Sequence, residues 1–256
     1  MGYYCQTCTA PRGIKGETPG ARRPWENVQG KGVSAMREGF RQELKDLKAE
    51  VLAIGRLCVD QTALSVQALV EGDIDIAQRV IDGDDAIDHR TLALEEATLE
   101  VMATQFPVAR DLRLLHSLTY VAWHMERMGD LAVNIAKAAR RTADRKGPQT
   151  LYDLIQAQGN LVHRVLDACI ESLANNDLEL ALKLQELDEP IDHLYKQFFR
   201  ELARLQDEDD IEWASNMVMA ARYLERIADN AVDIGERVRY MLTGTFEVGP
   251  EAPVGE

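Results

Sequence analysis

Apolar residues recur at three- and four-residue spacing along most of this 256-residue chain. The spacing, seen for example across residues 44–57, places apolar side chains on one face of an α-helix. It is interrupted at Gly72-Asp73 and at Asn176-Asp177, where a turn residue precedes an aspartate suited to capping the next helix. The pattern predicts six helices, at residues 37–71, 73–105, 107–143, 148–175, 177–206 and 209–242. Long helices joined by short turns form bundles, so the predicted fold class is all-α.

The helical part of the chain is duplicated. At an offset of 104 residues, Ile87-Asp88-His89 corresponds to Ile191-Asp192-His193. At an offset of 99 residues, seven of the fifteen residues in 126–140 are identical to their counterparts. Because each helix keeps a single offset, the duplication predicts two tandem three-helix bundles, at residues 36–145 and 146–243.

Two terminal segments lack this pattern. Residues 1–35 are rich in glycine and proline and have no apolar period, and residues 244–256 resemble them. Segments that bury little apolar surface do not offset the entropy lost on ordering. We therefore expect a disordered N-terminal extension and a disordered C-terminal tail.

The charge and hydropathy of the chain exclude several classes of partner. A formal net charge of −14 disfavours nucleic acid, whose phosphates require clustered Lys and Arg. No apolar stretch approaches the roughly 20 residues that span a bilayer, so direct membrane insertion is not expected. The N-terminus has no secretory signal pattern, and we expect a cytoplasmic protein.

Each repeat carries acidic residues on its second and third helices. Residues four positions apart lie on one helical stripe, about 6 Å apart at Cβ, where unpaired carboxylates repel each other unless a cation lies over them. The candidate metal ligands from the second helices are Asp84, Asp85, Asp88, Asp188, Glu189 and Asp192, and those from the third helices are Glu126, Asp130, Asn134, Glu225, Asp229 and Asp233.

The chemistry of these candidate ligands favours hard metal ions. An all-oxygen environment suits Mg²⁺, Mn²⁺, Ca²⁺ or ferric ions; divalent or ferric ions (Fe, Mn, Mg or Zn) are the expected cofactors, with no single identity indicated. The alternative is a structural interaction module in which the same carboxylates are solvated or salt-bridged. His89 and His193 also recur, either as helix-packing residues or as groups that support a metal site.

No catalytic constellation is present in the sequence. There is no glycine-rich phosphate loop and no nucleophile with a paired histidine. A carboxylate-bridged oxidase of the ferritin type uses Glu-x-x-His on two helices, and no histidine here has Glu three residues before it. We therefore do not expect an enzyme.

The duplicated motif resembles the PhoU family of phosphate-transport accessory proteins. The resemblance rests on Asp111-Leu112-Arg113, on Glu126-Arg127-Met128-Gly129-Asp130 with Ala132-Val133-Asn134-Ile135, and on a second copy across residues 225–234. It covers about residues 37–243 and departs from the family pattern at Glu212, which stands where the first copy has Arg113.

The resemblance implies a PhoU-like fold, metal clusters on the Glu-x-x-x-Asp helices and a homodimer. It also implies a negative regulator of the phosphate-starvation response, linking the ATPase subunit of the phosphate ABC transporter to a phosphate-sensing histidine kinase. The alternative function is a metal-binding helical interaction module without a phosphate-specific role.

Overall fold

The computed structural model describes residues 26–204 and 211–246, with side-chain surroundings from residue 37 onwards. Within those ranges the chain forms helices and no strand. The predicted all-α fold class is confirmed. The helices are α1 Glu26–Glu71, α2 Ile74–Gln105, α3 Ala109–Thr142, α4 Gln149–Asn175, α5 Leu178–Leu202 and α6 Ile211–Thr243.

Helix α1 is longer than the sequence predicts. It begins at Glu26, so the backbone of residues 26–35 is helical where disorder was expected. Once a helix has nucleated, each added residue contributes one backbone hydrogen bond, which lets a helix extend into a segment that has no apolar period of its own. The rest of the predicted extension, residues 1–25, lies outside the described residues.

The predicted C-terminal tail begins with an aromatic contact to α6. The ring of Phe246 stacks on Tyr240 of α6 with centroids 4.0 Å apart. An aromatic stack therefore follows the end of α6 directly, whereas the disorder expected from residue 244 onwards stays a prediction. Residues 247–256 lie outside the described residues.

The turns between helices follow the predicted chemistry. Gly72 adopts a φ of +70°, and the carboxylate of Asp73 then accepts a hydrogen bond of 2.9 Å from the Ile76 amide. In the second repeat Asn176 takes the same left-handed conformation, and Asp177 caps α5 through the Leu180 amide at 3.0 Å. Each aspartate satisfies an amide that the first turn of a helix leaves unpaired.

The chain divides into two compact units, Met1–Gly39 and Phe40–Glu256. The described part of the first unit is helical backbone. The second unit contains both repeats, which pack side by side: α3 lies along α6, α2 covers α3, and α5 covers α4 and α6.

Close helix packing joins the two repeats through α1 and α4. A Cβ added at Gly159 of α4 would stand 2.8 Å from a methyl carbon of Val66 of α1. The thiol of Cys58 in α1 in turn lies 3.1 Å from the Met125 carbonyl oxygen of α3. The three-helix repeats therefore share one core. None of the described helices combines the length and apolar character that crossing a bilayer requires.

Candidate cation sites between the second and third helices

In each repeat, carboxylates from two neighbouring helices form a cluster. The first cluster consists of Asp84 and Asp88 on α2 with Glu126 and Asp130 on α3, and the second consists of Asp188 and Asp192 on α5 with Glu225 and Asp229 on α6. The carboxylates of each cluster act on one another electrostatically across the two helices. The structure thus brings eight of the twelve predicted ligands into two groups.

A glycine positions the first cluster. A Cβ added at Gly129 of α3 would stand 3.3 Å from Oδ1 of Asp84 and 3.2 Å from a methyl carbon of Ile87. Both distances are tighter than ordinary van der Waals contact, so the absence of a side chain lets α2 approach α3 here. The Asp84 carboxylate is consequently held against the backbone of the helix that carries Glu126 and Asp130.

The first cluster has too little positive charge for its carboxylates. Burial and, after it, the charges of Asp88, Asp130 and Glu126 together raise the pKa of Asp84 to about 6, against an opposing effect of Lys137. The pKa of Glu126 is also raised, first by burial and then by Asp130. Water is partly removed without enough counter-charge in its place, which disfavours the ionised forms.

The second cluster likewise has too little positive charge for its carboxylates. Burial, followed by the charges of Asp229 and Asp192, raises the pKa of Asp188 to about 6. Glu225 is only 7% exposed, and burial raises its pKa even though the nearby Arg222 lowers it. Burial also raises the pKa of Asp229.

Buried carboxylate oxygens in both clusters lack hydrogen-bond partners. They are Oδ1 of Asp84, Oδ1 of Asp188 and Oε2 of Glu225. A buried acceptor without a donor is costly, and a cation is the natural group to satisfy several such oxygens at once. Within the described ranges, no group of three or more His, Cys, Asp or Glu side chains is placed so that it could hold a metal ion. The residues of the clusters fit a hard cation in donor type and charge.

Four of the predicted ligands do not join the clusters in this way. Asp85 and Glu189 are exposed, because each lies one residue, or about 100° of helical rotation, beyond the clustered aspartate. Asn134 is half-buried one turn after Asp130. Asp233 acts on the charge of Asp229 from the next turn of α6, and it lies 3.7 Å from Nδ1 of His124 on α3.

The recurring histidines do not pack between helices. His89 and His193 are both exposed, and Nδ1 of His193 lies 2.7 Å from the carbonyl oxygen of Glu189 in the preceding turn. The helix-packing interpretation is therefore wrong for both residues. Each follows the buried-face isoleucine by two positions, which turns it toward solvent.

Sequence reasoning missed two residues beside the clusters. Gln61 of α1 is 8% exposed, and its Oε1 has no hydrogen-bond partner. Arg222 of α6 forms an ion pair with Oε1 of Glu225, three residues later on the same helix. The Arg222–Glu225 spacing is a sequence signal for an ion pair, whereas nothing along the chain connects Gln61 to residues of α2 and α3.

The fold and the two clusters define a class: internally duplicated helical-bundle proteins with one acidic site in each repeat. The PhoU domain model matches this chain twice, at residues 51–139 and 155–238, and the two starting residues reproduce the offset of 104 found in the sequence. The chain belongs to the PhoU family.

Curated relatives and solved structures resemble the chain over most of its length. The phosphate-specific transport system accessory protein PhoU homolog of Pseudomonas aeruginosa is 33% identical over 208 residues, which cover 80% of this chain and 86% of the relative. PhoU homolog 1 of Methanothermobacter thermautotrophicus is 31% identical over 206 residues, which cover 80% of this chain and 94% of the relative.

Among solved structures, PhoU from Pseudomonas aeruginosa aligns with a TM-score of 0.77 at 32% identity and covers 80% of this chain and 100% of its own. The phosphate transport system regulatory protein PhoU from Streptococcus pneumoniae aligns with a TM-score of 0.74 at 27% identity. The alignment covers 81% of this chain and 98% of the Streptococcus pneumoniae chain. The PhoU-like fold that the motif implied is confirmed.

Proposed function

We propose that this protein is an accessory regulator of phosphate transport that binds cations in its two clusters and acts through protein contacts. Membership of the PhoU family carries the proposal, because the relatives are named as accessory proteins of the phosphate-specific transport system. A solved relative is titled a regulatory protein of the same system. None of these names describes an enzyme, which favours a non-catalytic role.

The proposed action is negative regulation. A cytoplasmic homodimer would connect the ATPase subunit of the phosphate ABC transporter with a phosphate-sensing histidine kinase and suppress the starvation response when phosphate is abundant. These partners come from the family resemblance. The acidic surface of the chain, with a formal net charge of −14, suits docking on basic protein surfaces.

The cation would satisfy the buried carboxylate oxygens and neutralise the repulsion within each cluster. Glu126 and Asp130 would hold it from α3 and Asp84 and Asp88 from α2, with the equivalent residues in the second repeat. Iron, manganese, magnesium or zinc are the candidates, and carboxylate ligands favour the harder ions among them. A bound cation would tie the second and third helices of a repeat together, because its ligands come from both.

Removal of the clustered carboxylates on α3 should abolish cation binding in the first repeat. We expect the double variant Glu126→Ala with Asp130→Ala to retain less metal than the wild type, and its melting temperature to rise less when Mn²⁺ is added. A cation that binds only the native state stabilises it by mass action. Metal analysis of the purified full-length protein and thermal melts with and without Mn²⁺ provide the measurements.

The matched control removes the same amount of charge outside the clusters. The double variant Asp85→Ala with Glu189→Ala should keep the metal content and the Mn²⁺-dependent stabilisation of the wild type, since both residues lie about 100° of helical rotation away from the clustered aspartates. If the two double variants lose metal equally, the first cluster is not a binding site.

Loss of the protein should disturb phosphate control in the cell. We expect a deletion strain to express starvation genes and to take up phosphate in phosphate-rich medium, and a plasmid-borne wild-type copy to restore repression. Normal phosphate control in the deletion strain would contradict the regulatory role. If the purified protein still bound Mn²⁺ in that case, the alternative function, a metal-binding helical interaction module without a phosphate-specific role, would remain.

A further inference from the structure

The two clusters share their carboxylates but differ in what surrounds them. At the offset of 104, Leu92 of the first repeat corresponds to Lys196 of the second, and at the offset of 99, Trp123 corresponds to Arg222. Two positions that hold uncharged residues beside the first cluster therefore hold basic residues beside the second. The two duplicated sites therefore have different charge environments.

The first cluster opens onto a cavity that these uncharged residues line. Asp88 and Glu126 share a surface cavity with Leu92, Trp123 and Arg127. Arg127 and Lys137 are exposed and act on the charges of Glu126 and Asp84, but no ion pair joins either of them to the cluster in the part of the chain that the structure describes. A cation approaching through this cavity meets carboxylates without having to displace an ion-paired side chain.

Gln61 adds an unpaired oxygen beside the first cluster. Its Oε1 would lie 3.7 Å from a Cβ built at Gly129, while Oδ1 of Asp84 would lie 3.3 Å from the same point. Both oxygens are buried and without hydrogen-bond partners, so two unpaired acceptors lie within 4 Å of one point. Amide and carboxylate oxygens are both ligands of hard cations.

The second repeat offers no equivalent of this amide. The positions corresponding to Gln61, Gly83 and Gly129 are Val165, Leu187 and Ala228. Gly83 lies against Gln61, since a Cβ built there would stand 3.3 Å from its Nε2. The second repeat thus has an apolar side chain in place of the amide and side chains in place of both neighbouring glycines.

The second cluster differs in that basic side chains form ion pairs with its carboxylates. Arg222 pairs with Glu225 and also acts on the charge of Asp229, so its guanidinium serves two members of the cluster. The ring of Tyr195 lies 5.7 Å from the Arg222 guanidinium carbon and helps to hold it there. Lys196 lies 3.9 Å from Asp192, one turn away on α5.

We propose that the two repeats bind cations unequally: Gln61 supplies an additional ligand that makes the first cluster the tighter site, and Arg222 is a resident counter-ion that a cation must displace from the second. The inference rests on the cation-binding part of the proposed function. Occupancy of the second site would release Arg222 from Glu225, so only high cation concentrations would change the contacts of α6.

Titration of metal-free, full-length protein with Mn²⁺ by calorimetry tests the proposal, with one cluster inactivated at a time. The first site is measured in an Asp188→Ala, Asp229→Ala background and the second in a Glu126→Ala, Asp130→Ala background. We expect the first site to bind at least tenfold more tightly, consistent with the 10- to 100-fold effects of altered groups around metal sites.

The two key residues should shift these affinities in opposite directions. Gln61→Leu should weaken the first site about tenfold and leave the second unchanged, whereas Arg222→Met should tighten the second about tenfold and leave the first unchanged. Gln61→Glu, which keeps an oxygen ligand and adds charge, should tighten the first site and guards against a folding defect in the leucine variant. Thermal melts with and without Mn²⁺ give an independent readout of both shifts.

Matched controls separate these effects from changes in charge or composition. Gln67→Leu alters an exposed glutamine of α1 that bonds Glu71, and Arg164→Met removes an exposed arginine of α4. Neither should change either affinity.

The results distinguish the inference from the proposed function. Equal Mn²⁺ affinities in the two backgrounds, or unchanged affinities in both Gln61→Leu and Arg222→Met, would overturn the inequality while leaving cation binding in place. Absence of Mn²⁺ binding in both backgrounds and in the wild type would overturn the cation-binding part of the proposed function itself.

Discussion

Replacement of Gly235 by leucine should lower the free energy of unfolding of the metal-free protein by about 3 kcal/mol, the upper part of the usual range for an overpacked core. Gly235 lies where α6 crosses α5. A Cβ there would stand 2.7 Å from a methyl carbon of Leu184 and 2.9 Å from the backbone carbonyl oxygen of Ala181. The carbonyl oxygen cannot rotate away as a side chain can, so the two helices have to separate.

Chemical denaturation followed by circular dichroism measures this effect, with Gly39→Ala as the control. Gly39 is also helical, but a Cβ there meets nothing within 4 Å. The alanine should be neutral or stabilising by up to about 1 kcal/mol, because glycine is the poorer helix former. Equal stability of Gly235→Leu and the wild type would show that α5 and α6 do not approach as closely as the structure indicates.

The variant Asp84→Asn with Asp188→Asn should be more stable than the wild type at pH 7 when no metal is present. Burial raises the pKa of each aspartate from 3.8 to about 6, so each is ionised at pH 7 at a cost to the folded state. A shift of about 2 pKa units corresponds to at most about 3 kcal/mol per group. Both side chains are partly exposed, and screening by water reduces the expected gain to about 1 kcal/mol each.

The pH dependence of this difference has a defined sign. Between about pH 4 and pH 6 the folded protein binds protons at these aspartates that the unfolded chain does not, so lowering the pH through this window stabilises the wild type. This stabilisation of the wild type is complete below the pKa that the aspartates have in the unfolded chain. It is absent above the pKa that they have in the folded protein. Asparagine does not titrate, so the advantage of the double variant should disappear as the pH falls from 7 to 4.

Thermal melts at pH 4, 5, 6 and 7 in the presence of a chelator test both statements. Asp85→Asn, an exposed neighbour of Asp84, should behave as the wild type. Added Mn²⁺ should reverse the order at pH 7, because the wild type then gains binding energy that the variant has lost. A double variant less stable than the wild type in the chelator at pH 7 would contradict the charge imbalance in the clusters.

The sequence by itself was sufficient for the fold class and for nominating the carboxylates that the structure brings into two clusters. Helical periodicity and capping aspartates are local signals, and Asp73 and Asp177 cap α2 and α5 as predicted. Duplication adds a second, independent signal, which singles out the clustered carboxylates from the many acidic residues of the chain. The start of α1 was misplaced, because propagation of a helix into residues 26–35 leaves no apolar period to detect.

Only the tertiary structure decided which carboxylates share a cluster and what neutralises them. Asp84 and Asp85 are adjacent aspartates that the sequence does not distinguish. In the structure Asp84 lies toward α3, whereas Asp85 lies toward solvent. Gln61 reaches the first cluster from a third helix, through space left by Gly83 and Gly129, and no spacing along the chain encodes that approach. Helix periodicity fixes the face on which a side chain lies, whereas the neighbour it meets there depends on how separate helices pack.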